Sequence, residues 1–160
     1  MKNYILIFFL LTQVLFSDQI TKLIPTYEKT FSLLKSIDSS AIIMGSGKKD
    51  VYVFVDPLCH FSRKFISKVT KNDLMLKKYK YHIYLYEIPR LHSQEEINYV
   101  YNSKNPLNVL LDIMLNDKKL NYLFSPKPHN REKVREIKNI AKQINVNKRP
   151  FIIISQEAKK

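Results

Sequence analysis

Val51-Tyr52-Val53-Phe54-Val55-Asp56-Pro57-Leu58-Cys59-His60-Phe61-Ser62-Arg63-Lys64-Phe65 reads as a strand, a tight turn and the first turns of a helix. Val51, Val53 and Val55 alternate with Tyr52 and Phe54, and all five are β-branched or aromatic, which marks a buried central strand. Asp56-Pro57 stops it. Beyond the turn, Phe61, Phe65, Ile66 and Val69 recur at helical spacing. They predict a helix to about Thr70, with the lysine-rich stretch to Lys78 open to a continuation. Cys59, the single cysteine, falls at the N-terminal end of that helix. Unpaired backbone N–H groups and the helix dipole favour negative charge there, and the thiolate is the reactive form of cysteine.

On the N-terminal side, Ala41–Met44 is a short apolar run. It is followed by Gly45-Ser46-Gly47-Lys48-Lys49-Asp50, the clearest turn signal in the chain. The pattern predicts an antiparallel hairpin between Ala41–Met44 and Val51–Val55, with the added strand at the sheet edge. Further back, Ile20, Leu23, Ile24, Tyr27, Phe31, Leu34 and Ile37 form one stripe of an amphipathic helix over Gln19–Ile37, with Pro25 in a first turn or breaking it in two. Lys2, the apolar run Tyr4–Leu15 and the small-residue end at Leu15-Phe16-Ser17 read as an export signal. The run is short for a transmembrane helix; an uncleaved anchor is the alternative. The layout is therefore a signal over 1–17, an N-terminal helix over 18–40 and a main α/β domain over 41–160. Export places Cys59 in an oxidising compartment, where a lone cysteine has no partner in its own chain for a structural disulfide.

On the C-terminal side, Tyr79–Tyr86 is the second main strand, apolar or aromatic on both faces, as expected with helices on each side. Ser93 with Glu96 three residues on predicts a capping box opening a helix to Tyr101. Asn105-Pro106 starts another helix, with Leu107, Leu110, Leu111 and Met114 on one face. Lys118–Phe124 is a short third piece and Ser125–His129 a loop. Val134, Ile137, Ile140, Ala141 and Ile144 mark a helix over Arg131–Ile144, and Phe151–Ile154 is the last strand.

The strand, the Asp-Pro-x-Cys turn and the aromatic-bearing helix, together with Arg149-Pro150 directly before Phe151–Ile154, resemble the active-site frame of bacterial periplasmic thiol:disulfide isomerases of the DsbC/DsbG type. These belong to the thioredoxin-fold superfamily. The resemblance spans roughly residues 41 to 155. It implies an α/β fold, a thioredoxin-like sheet with a helical insertion that lids the active site. It makes Pro150 a cis proline packed beside Cys59, puts Arg149 and Pro150 in substrate binding, and implies no cofactor. Two departures stand out. The family motif is Cys-x-x-Cys, and here it is Cys59-His60-Phe61-Ser62. The family also continues past the proline strand with a further strand and helix, whereas this sequence stops at Lys160, so the expected domain is C-terminally shortened.

Cys59 is thus the candidate nucleophile, expected as an exposed thiol; the bland alternative is an inert buried cysteine. His60, as imidazolium, would favour the thiolate by charge proximity; its alternative is a solvent-exposed cap residue. Arg63, Lys64 and Arg149 add positive charge around the turn, and Asp56 is expected to cap the helix. Ser62 decides the mechanism. A thiol at that position would resolve a mixed disulfide, and a hydroxyl cannot. It can hydrogen-bond the Cys59 sulfur. What remains is attack by one thiol, with resolution by a second substrate thiol, which is isomerisation, or by an external thiol, which is reduction. His82, His92 and His129 are too scattered to argue a metal site.

Composition narrows the partners. A hydrophobic content of 45% with 12% aromatics supports a packed core, and only two glycines disfavour glycine-rich phosphate loops. The formal charge of +13 suits an acidic partner, but no lysine run exceeds two residues, so a scattered solvated surface is the simpler reading and no specific nucleic acid is implied. The expected partners are thiols or disulfides of exported proteins and a membrane or periplasmic reductant. Two other functions remain: a non-catalytic binding or assembly module on a degenerate thioredoxin scaffold, and binding to anionic surfaces.

Overall fold

The computed structural model describes residues 25–116 and 128–155, with the side chains of Pro128 and His129 excepted. The export signal, the Gln19–Ile24 part of the N-terminal helix, the Lys118–Phe124 piece and most of the loop after it lie outside the described residues. Helix α1 spans Tyr27–Ser36 and starts just after Pro25, with Thr26 as its cap. Strand β1 is Ile42–Met44 and β2 is Lys49–Val55. Helix α2, His60–Thr70, follows the Cys59 turn. Asn72 then caps a separate helix α3, Asp73–Lys78, so the lysine-rich stretch is a new helix rather than a continuation. Strand β3 is Tyr79–Leu85. Helices α4 (Gln94–Asn102), α5 (Pro106–Leu115) and α6 (Pro128–Gln143) are inserted before β4, Phe151–Ile154.

The sheet order is β1-β3-β2-β4. β2 and β3 run parallel at its centre, with Val53 opposite Ile83 and Val55 opposite Leu85. The five residues Tyr81–Leu85 are all buried, as are Val51–Val55, so both faces of the central pair are covered. Phe54 stacks on Tyr84 at 5.1 Å, and Phe31 of α1 meets the edge of Tyr52 at 5.5 Å, on one face. Phe65 of α2 meets Tyr81 on the other. Burying these aromatic and branched side chains is the main force holding the layers together.

The predicted hairpin does not form. β1 sits at the sheet edge as expected, but it pairs antiparallel with β3, not β2, Ile42 lying opposite Ile83 and Met44 opposite Tyr81. The glycine segment therefore crosses the start of β3 to reach its other side. Ser46 N–H donates to the Leu76 carbonyl at 2.9 Å and Gly47 N–H to that of Tyr79 at 3.2 Å. The glycines are needed for this close passage. Gly45 has φ of +85°, and a Cβ on Gly47 would lie 2.0 Å from the Lys78 carbonyl carbon. Gly47→Ala is therefore expected to destabilise the fold by about 3 kcal/mol, the upper end of overpacking, because backbone rather than a flexible side chain must move. Urea denaturation checks this; a midpoint unchanged from the parent chain would refute the crossing.

Candidate thiol site

Cys59 is the N-cap residue of α2, with φ −75° and ψ 121°, and its carbonyl accepts the first helical bond from Arg63 N–H at 2.9 Å. The turn before it is closed by Cys59 N–H donating to the Asp56 carbonyl at 3.1 Å. Cys59 thus stands at the N-terminal end of α2, and its side chain makes no cap hydrogen bond there. It is not exposed, however. Cys59 is only 5% accessible, which corrects the expectation of an open thiol. The reason is the segment before β4: the Cys59 thiol donates to the Arg149 carbonyl at 3.7 Å. The Arg149–Pro150 peptide bond is cis. Residues ninety positions apart in sequence are brought together here.

Arg149 is held firmly. Its Nε donates to the Tyr86 carbonyl at 3.0 Å, a terminal nitrogen donates to the Glu87 carbonyl, and its guanidinium carbon lies 3.9 Å above the Tyr86 ring. Burial pulls the Arg149 pKa below its ordinary value; Tyr86, Asp56 and Cys59 push the other way. An arginine keeps its charge under such a shift, since its ordinary value is far above neutral. The pairing to Tyr86 and Glu87 had no signal in the sequence.

Asp56 does not cap α2. Its carboxylate is fully buried and accepts three hydrogen bonds: from Leu58 N–H at 2.8 Å on one oxygen, and from Ile88 N–H and the Ser93 hydroxyl at 2.8 Å on the other. It joins the thiol turn to the segment after β3. This also explains why the predicted capping box fails: the Ser93 hydroxyl is committed to Asp56 and makes no cap hydrogen bond in α4. The sequence carried one clue, an Asp directly ending an all-apolar strand.

Ser62 is fully buried, and its Oγ accepts from Asp56 N–H at 3.3 Å. It makes no hydrogen bond to Cys59, so the expected contact with the sulfur is absent; the hydroxyl instead pins the turn. His60 is exposed, its ring 5.7 Å from that of Phe61, which is itself 66% exposed. Lys64 is exposed, and Arg63 Nε donates to the Pro57 carbonyl at 3.0 Å. The histidines are not gathered. His82 is buried and stacked on Tyr52, with Nε2 2.9 Å from an Asp50 carboxylate oxygen and Nδ1 2.6 Å from one of Asp38. His92 is exposed and the His129 side chain lies outside the described residues. Among the described residues no cluster of three or more His, Cys, Asp or Glu could hold a metal, and no helix is long and apolar enough to cross a membrane.

No protein-family model and no curated protein matches the chain. Solved structures do. ScsC from Proteus mirabilis in a compact conformation superposes with a TM-score of 0.66 at 11% identity, covering 92% of this chain and 81% of that one. The catalytic domain of the same protein gives 0.60 at 10% identity, covering 81% and 86%. The fold is thioredoxin-like. DsbG from Helicobacter pylori, at 17% identity and a TM-score of 0.54, covers 89% of this chain and spans it with 66% of its own length. At such identities the likeness is one of fold. Within a thioredoxin-like frame, Cys59 sits where strand passes into helix, and the Arg149–Pro150 segment closes over it.

Proposed function

We propose that the chain performs thiol–disulfide exchange, including isomerisation, on exported proteins, with Cys59 as its only nucleophile. The observation that carries this reading is the meeting of the Cys59 sulfur, at the head of α2, with the Arg149 carbonyl. In the proposed step the Arg149 carbonyl moves off the sulfur. Cys59 gives up its proton and its thiolate attacks one sulfur of a substrate disulfide. A bond forms between Cys59 and that sulfur, the substrate S–S bond breaks, and the departing substrate thiolate takes up a proton. A second thiolate of the same substrate then attacks the mixed disulfide, restoring Cys59 and leaving a new substrate disulfide, with no net oxidation. Reduction follows when an external thiolate attacks the Cys59 sulfur of the mixed disulfide instead: the substrate leaves as a dithiol, and a second external thiolate then restores Cys59 and departs as the external disulfide. The main chain of Arg149 and Pro150 receives the substrate, and His60 and Phe61 form the outer rim. The export signal read in the sequence supports a periplasmic or secreted location.

The burial of Cys59 and the missing Ser62 contact favour a second reading, a binding or assembly module that keeps the frame without the chemistry. The two part on the reaction of the folded, reduced chain with an aromatic disulfide reagent that releases a coloured thiolate. Exchange predicts one equivalent released under native conditions. It also predicts faster recovery of a protein with scrambled disulfides, an effect abolished in Cys59→Ala. Release only in unfolding concentrations of urea, or a Cys59→Ala chain as active as the parent, would leave the binding module.

A further inference from the structure

The scattered-charge reading fails on α6. Arg131, Arg135, Lys138 and Lys142 are spaced four, three and four residues apart, which places them on one helical face. That face lines two adjoining cavities, of about 260 Å³ and about 290 Å³, between α6, α4 and the end of β3. Gln94, Val134 and Lys138 belong to both, so together they make one trough. Its floor is apolar, from Leu85, Ile97 and Val134. Arg135 is paired with Glu132 at 2.7 Å, while Arg131, Lys138 and Lys142 have no acidic partner among the described residues. The one carboxylate in the lining is Glu87, whose carbonyl holds Arg149. Gln94 donates to Asn98 Oδ1 at 3.3 Å, and both residues belong to the lining.

We propose that this trough is a second binding site, taking an extended acidic polypeptide segment that carries an apolar side chain. The cationic rim meets carboxylates and the aliphatic floor takes the apolar group. The two lobes lie end to end along α6, an arrangement that suits successive side chains of an extended segment. Tyr86, the one aromatic in the lining, has the Arg149 guanidinium over its ring at 3.9 Å, so that face is not open for a base to stack, which disfavours a nucleic acid. The binding itself does not depend on the chemistry at Cys59. Tyr86 and Glu87 connect the two sites: both line the trough, and their carbonyls hold Arg149.

Fluorescence anisotropy with the full chain tests this. The probe is a fluorescein-labelled peptide with one leucine flanked by aspartates and glutamates. Replacing its leucine with alanine should weaken binding about tenfold. Lys138→Glu with Lys142→Glu, both exposed, should also weaken it about tenfold at low salt, and rising ionic strength should weaken it further. Cys59→Ala should leave it unchanged, so failure of the exchange reaction and failure of this site are separate results. A charge-matched reversal on α3 and its approach, Lys71→Glu with Lys77→Glu, should have little effect. Equal weakening by that control, indifference to the peptide leucine, loss of binding in Cys59→Ala, or complete displacement by an oligothymidylate of equal charge would each overturn the proposal.

Discussion

Replacing Asp56 with alanine is expected to cost about 3–5 kcal/mol, the range for removing one partner from a buried charged network. The carboxylate is fully buried and accepts from Leu58 N–H, Ile88 N–H and the Ser93 hydroxyl. Its removal takes the acceptor from a buried hydroxyl and from two half-buried backbone donors, at about 1–3 kcal/mol for each group left without a partner. Against a total stability of about 5–15 kcal/mol the loss is large, and the unfolding midpoint should fall by about 10 °C or more. Asp56→Asn should not rescue it. Both oxygens are acceptors, so whichever way the amide turns, its NH2 group faces an N–H donor. Thermal unfolding of both variants followed by circular dichroism is the measurement. An Asp56→Asn chain as stable as the parent would show that one oxygen is dispensable.

Stability should also fall steeply above pH 10. Burial raises the pKa of Tyr84 and of Tyr101 far above the ordinary tyrosine value; Asp38 adds to the first, and the Leu85 N–H bond partly offsets the second. In the unfolded chain both phenols ionise near pH 10. In the folded chain they stay protonated, so between the two values the unfolded state has released protons the folded state still holds. The stabilisation is complete below about pH 10 and is lost as the pH rises through the folded values, at about 1.4 kcal/mol per pH unit for each group, or about 2.7 for the pair. Urea denaturation at pH 9, 10 and 11 reads this slope. Tyr84→Phe is the informative variant, because the only hydrogen bond it loses is the 3.5 Å contact to the Leu34 carbonyl. It should halve the slope; an unchanged slope would exclude Tyr84 as its source.

The central strands, the inserted helices and the last strand were legible because their signals are local: alternation in Val51–Val55, helical spacing in Val134–Ile144, a proline ahead of Phe151. The sheet order was not. Gly45-Ser46-Gly47 looks the same before a hairpin as before a crossing, and only the later arrival of β3 decides where β1 pairs. The helix end at Thr70 was legible, but whether the next stretch continued it was left open, because the cap that starts the separate helix is a single bond from Met75 N–H to the Asn72 side chain. At the site, the order of Cys59 and Pro150 along the chain was readable. The burial of the sulfur was not, because it depends on how a distant carbonyl packs. Ser93 misled for a related reason: a hydroxyl fit for capping was drawn to a buried carboxylate instead. The charge on α6 was hidden by counting runs of consecutive lysines, when positions three and four apart are the neighbours on a helix.

The fixing of Arg149 bears on how the thiol centre meets an incoming molecule. With its planar head bound by two carbonyls and seated on a ring, this cation has no freedom to swing toward an arriving carboxylate. In the proposed exchange this charge would already be fixed in place before a substrate arrived. A lysine there would supply the same charge on a flexible stem and lose the fork that aims it, so the electrostatics beside Cys59 depend on the shape of one side chain more than on its sign.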